Sequence, residues 1–204
     1  MEIKTFEAGP LSANNYLLTD NGEAVLIDCS EYKPEILEGV NLKYIILTHG
    51  HFDHVLGVNQ TKKATGATVL IHKNDVERME ETTAIMNTFG LMGVDTPLAD
   101  QFINDGDTIE FGNVKIKCIH TPGHTEGSMC YLIDDNLFSG DTLFKDFYGR
   151  CDLPGGNFDK IVESIKNLFT LNENIKVFSG HGEETTIGYE KKYNEIKGNL
   201  WKLN

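Results

Sequence analysis

Few folds can accommodate the string His49-Gly50-His51-Phe52-Asp53-His54 placed directly after the continuous apolar run Tyr44-Ile45-Ile46-Leu47. A run of that kind fits a strand covered on both faces. Residues 48–57, rich in His, Asp and Gly, are expected to form a loop at the end of that strand. A lone histidine there is most simply a hydrogen-bonded surface or core residue. Three imidazoles and a carboxylate crowded at one strand end are costly to bury uncompensated. They are, however, the donors that a borderline divalent ion prefers. The chain is therefore expected to bring a metal-competent cluster to the edge of a buried sheet.

Three later positions share this character. His124 lies in Thr121-Pro122-Gly123-His124-Thr125, Asp141 follows Phe138-Ser139-Gly140, and His181 follows Phe178-Ser179-Gly180. Each follows an expected strand and has a glycine beside it, which lets the backbone turn sharply toward a shared centre. His72 and His120 stand outside these motifs and read as structural or incidental, with His120 also close enough to the His124 turn to support it. Cys29, Cys118, Cys130 and Cys151 form no C-x-x-C pair and have no neighbouring base, so they read as reduced packing residues.

Between the motifs the periodicity alternates between strand and helix. Residues 1–7 alternate polar and apolar, residues 15–18 and 24–27 flank the hairpin signal Asn21-Gly22, and a helical stretch leads to a strand at 68–71. Val114, Ile116 and Cys118 alternate with Lys115 and Lys117, and residues 129–133 and 137–139 are joined by Asp134-Asp135-Asn136. Phe158, Ile161, Val162, Ile165, Leu168 and Phe169 share a helical face behind the N-cap candidate Asn157. A strand at 175–178 follows. Tyr189, Tyr193, Ile196 and Leu200 then predict a helix over 189–201, docked on the core. Residues 81–97 lack clean periodicity and read either as an irregular covering helix or as a Met-containing lid. No linker or repeat divides the chain, so a single domain over residues 1–204 is expected, with two mixed sheets covered by helices and the site at one edge.

With 204 residues, 40% hydrophobic and 24% charged, the chain can bury a substantial core. A formal net charge of −13 and the lack of a basic stripe exclude a nucleic-acid partner. No apolar run approaches a membrane span and no export signal is evident at the start, so a cytoplasmic protein is expected. The sequence fixes no oligomeric state.

Taken together, Thr48-His49-Gly50-His51-Phe52-Asp53-His54, Thr121-Pro122-Gly123-His124, Ser139-Gly140-Asp141-Thr142 and Gly180-His181-Gly182 resemble the metallo-β-lactamase superfamily, with Leu26-Ile27-Asp28 resembling its first motif. The resemblance implies an α/β fold, an αββα sandwich, with a dinuclear site. His49, His51 and His124 would hold one ion, and Asp53, His54 and His181 the other, with Asp141 bridging. Asp28 would orient a ligand loop. Two divalent ions are implied, zinc first, with iron or manganese as alternatives. Asp53 and Asp141 would flank a metal-bridging hydroxide that attacks the substrate carbonyl.

The stretch Gly149-Arg150-Cys151-Asp152-Leu153-Pro154-Gly155-Gly156 is similar to a segment of small glyoxalase-II-like (hydroxyacylglutathione hydrolase-like) proteins. That likeness implies a thioester of a small thiol as substrate, with Arg150 facing an acidic carrier. A thiol leaves with a pKa near 8.5 and needs little help from an acid. Tyr148 and Phe147 are pocket-wall candidates by adjacency alone. After His181 little chain remains for the helical C-terminal domain of full-length glyoxalase II, so a thiol other than glutathione is open. Persulfide dioxygenases carry the same motifs around a single iron, which here would be held by His49, His124 and Asp141. The missing export signal argues against an exported β-lactamase, and the acidic charge against a nuclease.

Overall fold

The computed structural model describes residues 1–199. Strands β1 (Glu2–Ala8), β2 (Ala13–Asp20) and β3 (Glu23–Ile27) form an antiparallel meander. The sheet continues in parallel through β4 (Leu42–Ile46), β5 (Thr68–His72) and β6 (Gln101–Ile103). The Asn21-Gly22 hairpin forms as its residues require: both take positive φ, 45° and 78°, which matches a two-residue turn to the twist of its strands.

The second sheet holds β7 (Thr108–Phe111), β8 (Val114–His120), β9 (Met129–Ile133) and β10 (Asn136–Gly140), all antiparallel. Strand β11 (Lys176–Ser179) joins β10 in parallel, and β12 (Thr185–Thr186) closes the edge. Each sheet has six strands.

Side chains alternate across each strand, so a doubly covered strand must be apolar on both faces. Ile46, Val25 and Leu18 point into the space between the sheets, where they meet Phe111, Ile116, Tyr131 and Phe138. Their neighbours Ile45, Leu26 and Leu17 face outward onto Val55, Val58 and Met79. These last residues come from α2 (Phe52–Val55), α3 (Val58–Thr65) and α4 (Val76–Glu80), which follow the single-turn helix α1 (Pro34–Leu37). On the far side, Cys130, Leu137 and Val177 pack against Ile161, Val162, Ile165 and Leu168 of α6 (Phe158–Leu168), and Ile187 of α7 (Ile187–Tyr193) joins them. The result is the helix–sheet–sheet–helix sandwich, with an apolar layer at each of its three interfaces. The Asn157 side chain caps α6 by accepting from the Lys160 N–H at 2.9 Å.

Three segments differ from the sequence expectation. Residues 48–57 are not all loop. Phe52–Val55 closes a helical turn because Leu56 N–H finds Phe52 O at 3.0 Å and Val55 is drawn into the apolar layer. The tail does not run as one helix. Asn194 leaves helical geometry, ψ 139°, because its side-chain amide donates to the Phe147 carbonyl at 2.8 Å and to Glu190 Oε2 at 2.7 Å. A 3₁₀ turn, Glu195–Asn199, follows, and Leu200 and Trp201 lie outside the described residues. Residues 81–97 divide: α5 (Thr82–Thr88) buries Thr82 and Met86, and the remainder exposes Phe89, Leu91 and Met92. Among the described residues no helix is long and apolar enough to cross a membrane.

Phe138 is fully buried and stacks on Phe178 at 5.0 Å between ring centroids. Its replacement by alanine is expected to cost about 3–5 kcal/mol. Alanine at Phe102, which is 58% exposed, should stay within about 0.5 kcal/mol of wild type, and urea titration of both variants measures the contrast.

Candidate metal centre

The parallel pairing of β3, β4 and β5, and of β10 with β11, brings the carboxyl ends of these strands to one edge of the sandwich. His49 and His51 leave the end of β4, and α2 supplies Asp53 and His54. The turn after β8 carries His124, Asp141 follows β10, and His181 follows β11. All seven converge. Donor atoms of His49, His51 and His124 lie within 4.8 Å of one another, as do those of Asp53, His54 and His181, and those of His49, His54 and Asp141.

Hydrogen bonds on the far side of each ring decide which nitrogen faces the centre. His54 Nδ1 meets Asp28 Oδ2 at 2.8 Å, so it carries the proton and Nε2 is free. Thr48 Oγ1 donates to Asp28 Oδ2 at 2.8 Å and must therefore accept from His49 Nδ1 at 3.0 Å, which frees His49 Nε2. His124 Nδ1 donates to the Arg150 carbonyl at 2.7 Å, leaving Nε2. His51 instead turns Nδ1 inward, 2.9 Å from His124 Nε2. Asp141 faces both groups: Oδ1 is 3.5 Å from His54 Nε2, while Oδ2 is 3.5 Å from His124 Nε2 and 3.8 Å from His181 Nε2.

A divalent ion fits this arrangement. His49 Nε2 and Asp141 Oδ1 are buried without a hydrogen-bond partner among the described residues, a costly state for groups of such polarity. The lone pairs of His51 and His124 face each other at a distance neutral imidazoles avoid unless a proton or a cation lies between them. Burial, reinforced by His54 and His124, holds the pKa of His49 well below the usual imidazole range; burial and His124 hold His51 at about 4. Burial acts against ionised Asp53, yet its bond to His181 and the neighbouring imidazoles bring it to about 2. Burial likewise opposes a charged His54, but Asp141 and Asp28 raise it to about 10. The carboxylates thus demand positive charge at the centre.

Asp28 sits at φ 58°, a left-handed conformation rare outside glycine, and there it also accepts from Thr48 N–H at 2.7 Å. Asn14 reaches from β2 to the Ser179 and Gly182 carbonyls at 3.0 Å each, fixing the loop that carries His181. The sequence gives little sign of Asn14, of Thr48, or of Asp75, a buried carboxylate at the end of β5. All three are single polar residues in ordinary strand or turn contexts.

His72 and His120 lie apart from the cluster and stack on each other at 4.4 Å. Burial, then His120, lowers the His72 pKa to about 4. Cys29, Cys118 and Cys130 are buried, and burial pushes their pKa up to between about 11 and about 12. A cleft of about 490 Å³ opens over the metal-facing side chains, walled by Leu11, Phe52, Ile85, Leu153 and Pro154, with Arg78, Glu81 and Arg150. The guanidinium of Arg150 forks onto Asp152 through two bonds of 2.8 Å. Tyr148, expected beside it, does not line the cleft. Its ring turns to the apolar layer under α6 and packs near Phe158, 6.1 Å between centroids.

The metallo-beta-lactamase superfamily pattern matches residues 8–181, and the chain belongs to that superfamily. It is 32% identical to hydroxyacylglutathione hydrolase GloC of Haemophilus influenzae, over 95% of this chain and 97% of that protein. TTHA1623, solved in a di-iron-bound form, is similar at TM-score 0.85 and 30% identity, with 95% of this chain and 99% of that one covered. BLEG-1, a B3 metallo-beta-lactamase, is similar at TM-score 0.85 and 32% identity, covering 98% and 100%. The fold and the His/Asp cluster are thus those of a metallo-hydrolase superfamily, with relatives that leave the identity of the metal open.

Gly180 packs so tightly against the cluster that a Cβ there would overlap Asp141 Oδ1 and lie 2.9 Å from His54 Cε1. Gly180→Ala is expected to fold but to lose divalent-metal affinity by about tenfold or more, as when a ligand's support is removed. Equilibrium dialysis against zinc measures the change.

Proposed function

We propose that this protein is a dinuclear metal-dependent hydrolase that cleaves the thioester of a small thiol. The observation that supports it is the sharing of Asp141 between two donor groups, at the floor of a cleft with both apolar and cationic walls. In this reading His49, His51 and His124 would hold one ion, Asp53, His54 and His181 would hold the second, and Asp141 would serve both. Such ions supply Lewis acidity and lower the pKa of bound water from 15.7 to about 7.

The chain's own groups do the positioning. Asp53, held ionised, accepts a hydrogen bond and orients water toward the scissile carbonyl. Asp28 and the Arg150 carbonyl keep His54 and His124 in the tautomer whose Nε2 faces inward. Phe52, Ile85 and Leu153 exclude water from the acyl group. Glu81, the remaining carboxylate of the cleft wall, is held by Arg78 at 2.6 Å. Among the described residues the site therefore offers no free acid to a leaving group, which suits a thiolate better than an amine. The likeness to a protein named hydroxyacylglutathione hydrolase supports the same class.

Treatment with a chelator should abolish thioester hydrolysis, and zinc or manganese should restore it. Full activity in metal-free protein would refute the reading. The same preparation should carry two metal equivalents. One iron per chain with oxygen uptake on a thiol persulfide would instead establish a dioxygenase using His49, His124 and Asp141. Faster turnover of a cephalosporin than of thioesters would establish a β-lactamase.

Arg150 is proposed to exchange its Asp152 partner for a substrate carboxylate, whose planar fork it matches. Arg150→Met should raise KM for carboxylate-bearing thioesters about tenfold with kcat unchanged, the worth of one charge-assisted hydrogen bond. Steady-state kinetics against an uncharged thioester provides the control.

A further inference from the structure

The geometry points to Asp75 as the residue that positions the three-histidine half of the metal centre. It lies in the 3₁₀ turn Lys73–Asp75 between β5 and α4 and is 1% exposed, with no cation paired to it among the described residues. Its carboxylate accepts three donors, and all three belong to the loops that carry His49, His51 and His124. Oδ2 takes Gly50 N–H at 2.8 Å and Thr125 Oγ1 at 2.7 Å, and Oδ1 takes Gly127 N–H at 2.6 Å.

The directions of these bonds are fixed. Two of the donors are backbone N–H groups, so the acceptor must be Asp75. Thr125 Oγ1 spends its single proton on Asp75 and accepts from Ser128 Oγ at 2.7 Å, while Ser128 Oγ accepts from Thr125 N–H at 3.1 Å. Gly50 lies between two of the histidines, and Thr125 follows the third. One carboxylate therefore joins a loop from the first sheet to a loop from the second, at the place where the two must hold His51 Nδ1 and His124 Nε2 2.9 Å apart. The fit is close on both sides. A Cβ on Gly127 would lie 2.7 Å from Asp75 Oδ1, and one on Gly50 would lie 2.8 Å from Met79 N in α4.

The other donor group is held differently. Asp28 and Asn14 secure His54 and the His181 loop, and no bond from Asp75 reaches Asp53, His54 or His181 among the described residues. A loss at Asp75 should thus be felt by one ion and not the other. This inference rests on reading the cluster as a two-ion site, but not on the choice of substrate.

Asp75→Asn preserves shape and places an amide N–H against a backbone N–H or the Thr125 hydroxyl, whichever way the amide turns. Zinc affinity of each equivalent is measured by competition with a chromophoric chelator, with His51→Ala and Asp53→Ala marking which step belongs to which group. Asp75→Asn is expected to weaken the His51-marked step by about 10–100-fold. The Asp53-marked step should stay within about twofold. Thr125→Val, which removes one donor and keeps the volume, should shift the same step in the same direction by less, and it decides the matter if Asp75→Asn fails to fold. Equal losses on both steps, accompanied by a lower melting temperature of the metal-free protein, would assign Asp75 to fold stability alone and overturn the inference. So would an unchanged His51-marked step. Zinc binding is read without substrate, so a wild-type chain that binds two zinc ions yet leaves thioesters intact would sink the proposed reaction and spare the role of Asp75.

Discussion

The carboxylate of Asp28 is the interaction on which the metal-facing edge depends. It accepts from Thr48 N–H, Thr48 Oγ1 and His54 Nδ1 while its own backbone is held at φ 58°. A left-handed non-glycine residue costs about 1–2 kcal/mol. Three hydrogen bonds to a charged acceptor, each worth about 1.5–3 kcal/mol, offset that strain. Their effect on chemistry is greater than their effect on stability. They determine that His54 and, through Thr48, His49 turn Nε2 rather than Nδ1 to the centre. Without that choice of tautomer, five clustered imidazoles would be a set of competing donors and acceptors.

A centre drawn from both halves of the sandwich requires the sheets to hold their separation. His49, His51, Asp53 and His54 come from the first sheet and its helix, and His124, Asp141 and His181 from the second. Apolar packing between sheets tolerates small shifts, since it has no direction. Near the site the sheets are therefore joined by directional bonds. Tyr131 Oη donates to the Leu47 carbonyl at 2.6 Å, Met129 N–H to Thr48 O at 2.8 Å, and Tyr16 Oη to Ser179 O at 2.5 Å. Each touches a residue within a few positions of a donor of the cluster. Asp75 adds a side-chain bridge of the same kind.

How much of this was legible in the sequence follows from the same physics. The donors could be read because five of them stand just past strand ends beside a glycine and Asp53 and His54 crowd onto the same stretch, where burial without a metal would be penalised. The sandwich could be read because a strand covered on both faces must be apolar at successive positions, as Tyr44-Ile45-Ile46-Leu47 is. The helical turn at Phe52–Val55 was hidden by its short length of four residues. The break in the tail was hidden because Asn194 and Glu190 act through partners far away in sequence, Phe147 and Asp146. Tyr148 was misplaced for a related reason. Adjacency to Arg150 says nothing about which way a ring turns, and the apolar layer under α6 claimed it. Asp75 looks like any helix-preceding aspartate, and its partners Gly50, Thr125 and Gly127 lie 25 to 52 residues away.

The division between legible and illegible residues is also a division of roles. Ligands are constrained by the valence of an ion, so few residue types will serve and the motifs stand out. The walls of the cleft come from elsewhere: Leu11 before β2, Phe52 at the start of α2, Arg78 and Ile85 on α4 and α5, and Arg150, Leu153 and Pro154 after β10. These side chains need only be apolar or cationic and of suitable size, and many sequences meet that demand. On the proposed reaction, discrimination among thiol carriers resides in these segments, while the metal edge stays fixed. Asp75 stands where the two meet, because α4, which carries Arg78, begins at the residue that ties the His51 and His124 loops together. A shift of that helix to accommodate a bulkier substrate would pull on the Asp75 carboxylate and hence on one metal ligand loop from each sheet.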